Sequence, residues 1–202
     1  MKPVMHLQLW IIGLACTELA LACQDILNKP FTDTFEQEID DVIADIYRSD
    51  VADIREVFIS SSGEQVAYLD LAENWLFQKY KKDAGMLMQM RPEKLEEESR
   101  KAFFINVYNF LTIHAVIDYS QSYGLPASTK DIPDFWSNYC YNIGGLEYSL
   151  DDIEHGILRA NRGTASHPPL EEDDPRLEVA MTELDQRVHF AMNCGGKNLA
   201  VH

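Results

Sequence analysis

The apolar positions of this chain fall into one long run and several shorter stripes. Over 100–119 the order R-K-A-F-F-I-N-V-Y-N-F-L-T-I-H-A-V-I-D-Y contains neither Gly nor Pro. Wound as a helix it is apolar nearly all round, which marks a segment buried on most sides. Asn106, Asn109, Thr112 and His114 interrupt it. A buried amide or imidazole without partners costs about 1–3 kcal/mol. These side chains therefore form a polar network that fixes the fold, or line a site. Asn106 and Asn109 share a face at spacing three, with His114 about 80° further round. Together they span a broad side and not one stripe, which favours the network.

Shorter patterns flank this helix. Phe35, Ile39, Val42, Ile43, Ile46 and Tyr47 recur at helical spacing from Thr34 onward, opposite a solvated face of acidic residues. Val57-Phe58-Ile59 ends that pattern as a strand or a turn, before Ser60-Ser61-Ser62-Gly63. A second helix is expected over 65–82, burying Leu69, Leu71, Trp75, Leu76 and Tyr80, with Met86-Leu87-Met88 in a loop or short helical turn. The acidic residues over 93–98 suit the start of the central helix. Two apolar runs around Gly144-Gly145 predict a β-hairpin. Ser149 with Asp152 three positions on is an acidic capping box, opening a helix over 150–161 that buries Ile153, Ile157 and Leu158. His167-Pro168-Pro169 begins an exposed loop, 177–184 is a short amphipathic helix, and 187–192 is a buried strand ending at Asn193-Cys194-Gly195-Gly196.

Length and charge narrow the class. At 202 residues there is room for one domain with a proper core. A net charge of -16 argues against nucleic acid, which needs clustered Lys and Arg to meet its phosphates, so no nucleic acid partner is expected. It disfavours an anionic membrane surface equally. The N-terminus carries Lys2, an apolar run over 7–16 too short to span a bilayer, and Ala20-Leu21-Ala22 as an A-x-A cleavage site. Residues 1–22 are thus expected to be a secretory signal peptide. Residues 23–202 then form one domain without a stable membrane span, secreted or held in the secretory lumen. A cut after Ala15 is the alternative. In an oxidising compartment a Cys140–Cys194 bridge is permitted. No C-x-x-C spacing is present, so no metal and no cofactor are expected.

Candidate chemistry centres on Cys194. A cysteine on a glycine-rich turn can present its sulfur to a cleft, and needs a base to become a thiolate. His189 is close in sequence, whereas His114 and His155 reach it only through the fold. Buried, inert cysteine is the more common case. Asp151, Asp152, Glu154, His155 and Arg159 are accounted for by capping and i,i+4 pairing. Asp185 with Arg187 is a structural pair.

Three blocks together resemble a known family. A-F-F-I-N-V-Y-N-F-L-T-I-H-A, I-G-G-L-E-Y-S-L-D-D-I-E-H-G-I-L-R and D-Q-R-V-H-F-A-M-N-C-G stand in the order and approximate spacing of domain of unknown function 547, over about 65–197. The matching residues include Asn106, Tyr108, Asn109, His114, Gly144, Gly145, Ser149, Asp152, Glu154, His155, Arg159, Arg187, His189 and Cys194. The resemblance implies one α+β domain, found in bacterial secreted proteins and in eukaryotic proteins, some of which add glutaredoxin-like or DEP domains. It implies no reaction. Gln186 replaces the proline of the family's D-P-R, and the S-C-P that follows the cysteine in the family is absent. A C-terminally truncated copy is therefore expected.

The expected fold is α+β: a mainly helical single domain, with a small hairpin or sheet packed on the central buried helix. The expected function is a binding or interaction module for an unknown protein or small-molecule ligand, with Asn106, Asn109, Arg159 and Arg187 as binding residues. The alternative is a thiol-dependent hydrolase or transferase with Cys194 as nucleophile and His189, His155 or His114 as base.

Overall fold

The computed structural model describes residues 23–31, 39–62 and 65–193. The candidate signal peptide at 1–22, the start of the first helical pattern around Phe35, and Cys194 with its glycines lie outside the described residues.

In chain order the elements are β1 (Asp25–Ile26), α1 (Asp40–Phe58), α2 (Tyr68–Glu73), α3 (Trp75–Ala84), α4 (Glu97–Tyr123), α5 (Phe135–Asn138), β2 (Tyr139–Ile143), β3 (Leu146–Ser149), a π-helix (Asp152–Leu158) and α6 (Val188–Ala191). Short 3-10 turns at Gly85–Gln89, Pro92–Lys94, Thr129–Asp131 and Pro175–Val179 connect them. The architecture is the expected one, mainly helical α+β around a central buried helix.

That helix is α4. Twelve of its residues are buried, from Phe103 to Ile117, including Thr112 and His114. Thr112 satisfies its hydroxyl within the helix, donating to the Tyr108 carbonyl at 2.9 Å. Glu97 and Glu98 occupy the first turn. Glu97 does more than favour the helix dipole: its Oε1 accepts from Thr182 N at 2.9 Å and Thr182 Oγ1 at 2.8 Å. Gly124, at φ +82°, ends the helix.

Around α4 pack α1, α2, β2 and the π-helix. The sheet order is β1-β2-β3, with β1 parallel to β2 and the β2–β3 hairpin antiparallel, Ile143 facing Leu146. Gly144 and Gly145 take φ +62° and +86°, the left-handed pair that a two-residue hairpin turn requires. Gly144 N also donates to Leu87 O at 2.9 Å, seating the turn against the 3-10 segment.

The N-terminal segment is held by three devices. Cys23 is bridged to Cys140 with Cα atoms 6.0 Å apart, so Cys140 is not free for the Cys140–Cys194 bridge that the sequence permits. Buried Asn28 donates to Ala84 O at 3.1 Å and Asn142 O at 2.8 Å, and accepts from Asn142 N at 2.8 Å. Gly85 lets the Lys29 carbonyl approach where a Cβ would collide with it.

Several local expectations are corrected. The helix over 65–82 is two helices broken at Asn74, whose side chain caps α3 by accepting from Leu76 N at 3.0 Å. Leu69 and Trp75 are 58% and 68% exposed; Tyr68, Leu71, Phe77 and Tyr80 take the core positions. Val57-Phe58 ends α1, and Ile59 pairs with Val66 in an isolated bridge. Over 180–187 the chain is not helical, and 187–192 is not a buried strand. Val188–Ala191 is one helical turn with only Val188 buried, and Phe190 is 88% exposed. The apolar run there packs one residue instead of alternating faces.

Candidate functional site

The polar residues of α4 do not share one wall. His114 points to the sheet side, where it ends a chain of buried hydroxyls. Tyr47 OH lies 2.8 Å from Tyr80 OH, Tyr80 OH 2.6 Å from Tyr141 OH, and Tyr141 OH 2.9 Å from His114 Nδ1. Each member comes from a different element: α1, α3, β2 and α4. If each hydroxyl donates one step toward an unprotonated Nδ1, every O–H in the chain is used. The imidazole is boxed edge-on by Phe77 at 5.2 Å and Tyr141 at 5.9 Å between centroids. Burial, with the charges of Lys81 and Lys29, drives its pKa down to about 3, so it is neutral at pH 7. The same burial pushes the Tyr47, Tyr80 and Tyr141 hydroxyls above their ordinary range.

His114 also borders a cleft of about 330 Å³ between α3, α4 and the N-terminal segment. Leu27, Phe77 and Ile117 supply apolar lining, and Lys29, Lys81 and Lys82 the charge. Lys81 Nζ sits 5.1 Å from the Phe77 ring centroid, a cation over an aromatic face. Asp118 is the carboxylate of this cleft; burial and the nearby Asp25 raise its pKa.

Asn109 engages a different segment, the end of α6 and the chain after it. Its Nδ2 donates to Ala191 O at 2.9 Å and its Oδ1 accepts from Asn193 N at 2.7 Å. The chain is thereby pinned to α4 one residue before Cys194. Asn106 is half-buried on the same helix, and His189 is exposed in α6 beside Phe190.

The second block forms the π-helix. Its hydrogen bonds skip five residues, Arg159 N to Glu154 O at 3.0 Å and Asn161 N to Gly156 O at 2.9 Å. Such wide turns are rare and are frequent at functional sites. The acidic capping box is present: Ser149 N and Oγ donate to Asp152 Oδ2 at 2.9 and 2.7 Å, and Asp152 N donates back at 3.1 Å. Tyr108 OH donates to Glu154 Oε2 at 3.2 Å, joining the first block to the second. His155 stacks on His167, centroids 4.3 Å apart. Arg159 is half-buried, and its enclosed Nε has no hydrogen-bond partner among the described residues. Arg187 is outside this group; it forms a two-point pair with Asp185, at 2.9 and 2.7 Å, with its own side chain 86% exposed.

The three blocks thus meet through Tyr108–Glu154 and Asn109–Asn193. The family described as protein of unknown function, DUF547 matches residues 92–200. The chain belongs to the DUF547 family. No curated protein and no solved structure matches it.

For this DUF547 chain the candidate bases separate. His114 serves the hydroxyl chain, His155 the stack with His167, and His189 stands in α6. Sequence reading overlooked Tyr47, Tyr80 and Tyr141, because aromatic residues at helical or strand spacing look like ordinary core. It also overlooked Lys29, which lies more than fifty positions from the adjacent Lys81 and Lys82 and is united with them only by the fold.

Proposed function

We propose that this domain is a secreted binding module whose ligand is a small organic anion, a carboxylate with an apolar body. One observation carries this reading: three ammonium groups against the single carboxylate of Asp118 gather round a cleft with apolar walls from Leu27, Phe77 and Ile117, on a chain of net charge -16. That is a local reversal of sign, which concentrates anions at the cleft mouth. The cleft falls within the usual size range of small-ligand sites, about 300–1,000 Å³. His114 borders it as a neutral imidazole already engaged through Nδ1, which suits a fixed wall better than a proton-transfer group.

Secretion fits the leader-like 1–22 and the Cys23–Cys140 bridge, which belongs in an oxidising compartment. Protein recovered outside the cytoplasm should begin at Cys23.

The test is titration of isotope-labelled protein with 4-phenylbutyrate and, separately, with its neutral amide. Saturable amide shifts at Lys29, Lys81 and Lys82 with the acid, weak with the amide and lost in a Lys29→Ala/Lys81→Ala variant, are expected. Equal response to the amide, or none to either, removes the proposal. The Asn109 clamp next to Cys194 favours a thiol-dependent enzyme as the second reading. In the binding reading Cys194→Ser leaves ligand shifts unchanged, whereas rapid, selective alkylation of Cys194 near pH 7 would favour the enzyme.

A further inference from the structure

A second cluster shares no residue with the lysine cleft. Asp151 and His155, one turn apart, leave the start of the π-helix together. The chain then runs out and comes back over them at His167. Three local features bring it back so closely. A Cβ at Gly156 would fall 2.7 Å from Leu170 Cδ1, so glycine there admits the returning arm. Asn161 clamps that arm, donating to Leu170 O at 3.0 Å and accepting from Leu170 N at 2.8 Å. Thr164 closes the turn, its N donating to His167 O at 2.7 Å and its Oγ1 accepting from His167 N at 3.1 Å.

The result is a set of donors with few competing partners. One ligand-type atom each from Asp151, His155 and His167 lies within 4.8 Å of the other two. Ser166 Oγ and Thr164 Oγ1 sit 3.1 and 3.3 Å from His167 Nδ1. With the Nδ1 proton donated to these hydroxyls, the Nε2 lone pair faces Asp151 Oδ1 at 3.5 Å. A lone pair and a carboxylate so placed repel unless a proton or a cation sits between them. His155 Nδ1 is enclosed and, among the described residues, has no hydrogen-bond partner. The neighbouring carboxylates are committed elsewhere, Asp152 to Arg176 at 2.8 Å and Ser149, Glu154 to Tyr108. A cleft of about 270 Å³ gives access from solvent.

We propose that Asp151, His155 and His167 bind a divalent transition-metal ion of the zinc type, which ties the 163–170 loop to the π-helix. Two imidazoles and one carboxylate suit zinc, whereas magnesium and calcium select all-oxygen sets. The hydroxyls on His167 Nδ1 are the outer partners that orient a ligating imidazole. Bonds of about 2.0–2.1 Å require the donors to draw inward and the two rings to turn out of their stack. Three protein ligands leave a fourth position to water or an incoming ligand atom. The sequence expectation of no metal rested on the lack of a C-x-x-C spacing. These donors come from a helix turn and a loop, and no such spacing describes them.

The experiment uses the full chain carrying Cys194→Ser, so that the thiol does not contribute, freed of metal with a chelator and titrated calorimetrically with zinc and with magnesium at pH 7.5. One zinc per chain, no heat with magnesium, tetrahedral visible bands on cobalt substitution, and zinc-dependent protection of 163–170 from protease are expected. His167→Gln changes a side chain on an exposed turn and should leave the metal-free melting temperature unchanged. It should weaken zinc by more than the roughly hundredfold that loss of an outer partner can cause; His189→Gln should not weaken it. Absence of stoichiometric zinc binding, or unchanged affinity in His167→Gln, overturns the site. That result would leave the anion-binding reading standing, because the lysine cleft contributes no ligand here.

Discussion

Two histidines of the same family motifs live under opposite conditions. His114 is 5% exposed at the end of a hydroxyl chain that draws on four elements. His155 lies half-buried at the edge, stacked on a loop histidine. Burial lowers both pKa values, and for His155 the nearby Glu154 works against that shift. The difference lies in what else each ring touches. A buried imidazole with a fixed partner is a structural joint, because any change leaves an unsatisfied hydroxyl in the core. An imidazole beside a solvent-open cleft, with an enclosed nitrogen unpartnered, retains capacity for a ligand.

This contrast can be broken or sharpened by substitution. The largest expected effect is at the bridge that fastens β1 beside the His114 corner. Cys23→Ser opens a loop of sequence separation 117 and should cost about 3–5 kcal/mol, read as a drop in the denaturant midpoint. Tyr80→Phe removes the central hydroxyl of the chain and strands the groups on either side; a loss of about 2–3 kcal/mol is expected from the same denaturation curves. A loss below about 0.5 kcal/mol would show that the chain does not hold the core.

The pH dependence is next. His114 remains neutral in the fold down to about pH 3, while its ordinary value is 6.5. The unfolded chain therefore binds the extra proton between these values, and this group's stabilisation is full above 6.5 and lost as pH falls toward 3. Asp50, buried in α1 beside Lys79, acts in the opposite sense. Burial lifts its pKa from 3.8 to about 6 against the pull of Lys79, so its contribution is full below 3.8 and lost as pH rises through 6. Melting temperature against pH should lose its acid-side slope in His114→Phe, and in Asp50→Asn that slope should steepen. The smallest effect belongs to the edge: in metal-free protein His167→Gln should shift stability by less than about 0.5 kcal/mol.

Legibility followed the same division. The central helix, the hairpin and the capping box were readable because each depends on residues adjacent in sequence, through periodicity, a Gly-Gly turn or a three-residue spacing. The 187–192 stretch reads otherwise: Val188, Phe190 and Met192 alternate like a strand, yet no strand among the described residues pairs with them and the backbone closes one helical turn. Leu69 and Trp75 were assigned to the core on helical phase, and the break at Asn74 changed that phase.

What the sequence alone determined is the fold class, the family and which helix is buried, all consequences of local pattern and of motifs in order. Only the tertiary structure decided which polar groups meet. The Tyr47–Tyr80–Tyr141–His114 chain, the Cys23–Cys140 pairing, the lysine cleft and the Asp151–His155–His167 cluster each join positions from separate elements. Hydrogen bonds and charge contacts act over a few ångströms, so their partners depend on packing between elements, which periodicity along one chain does not encode.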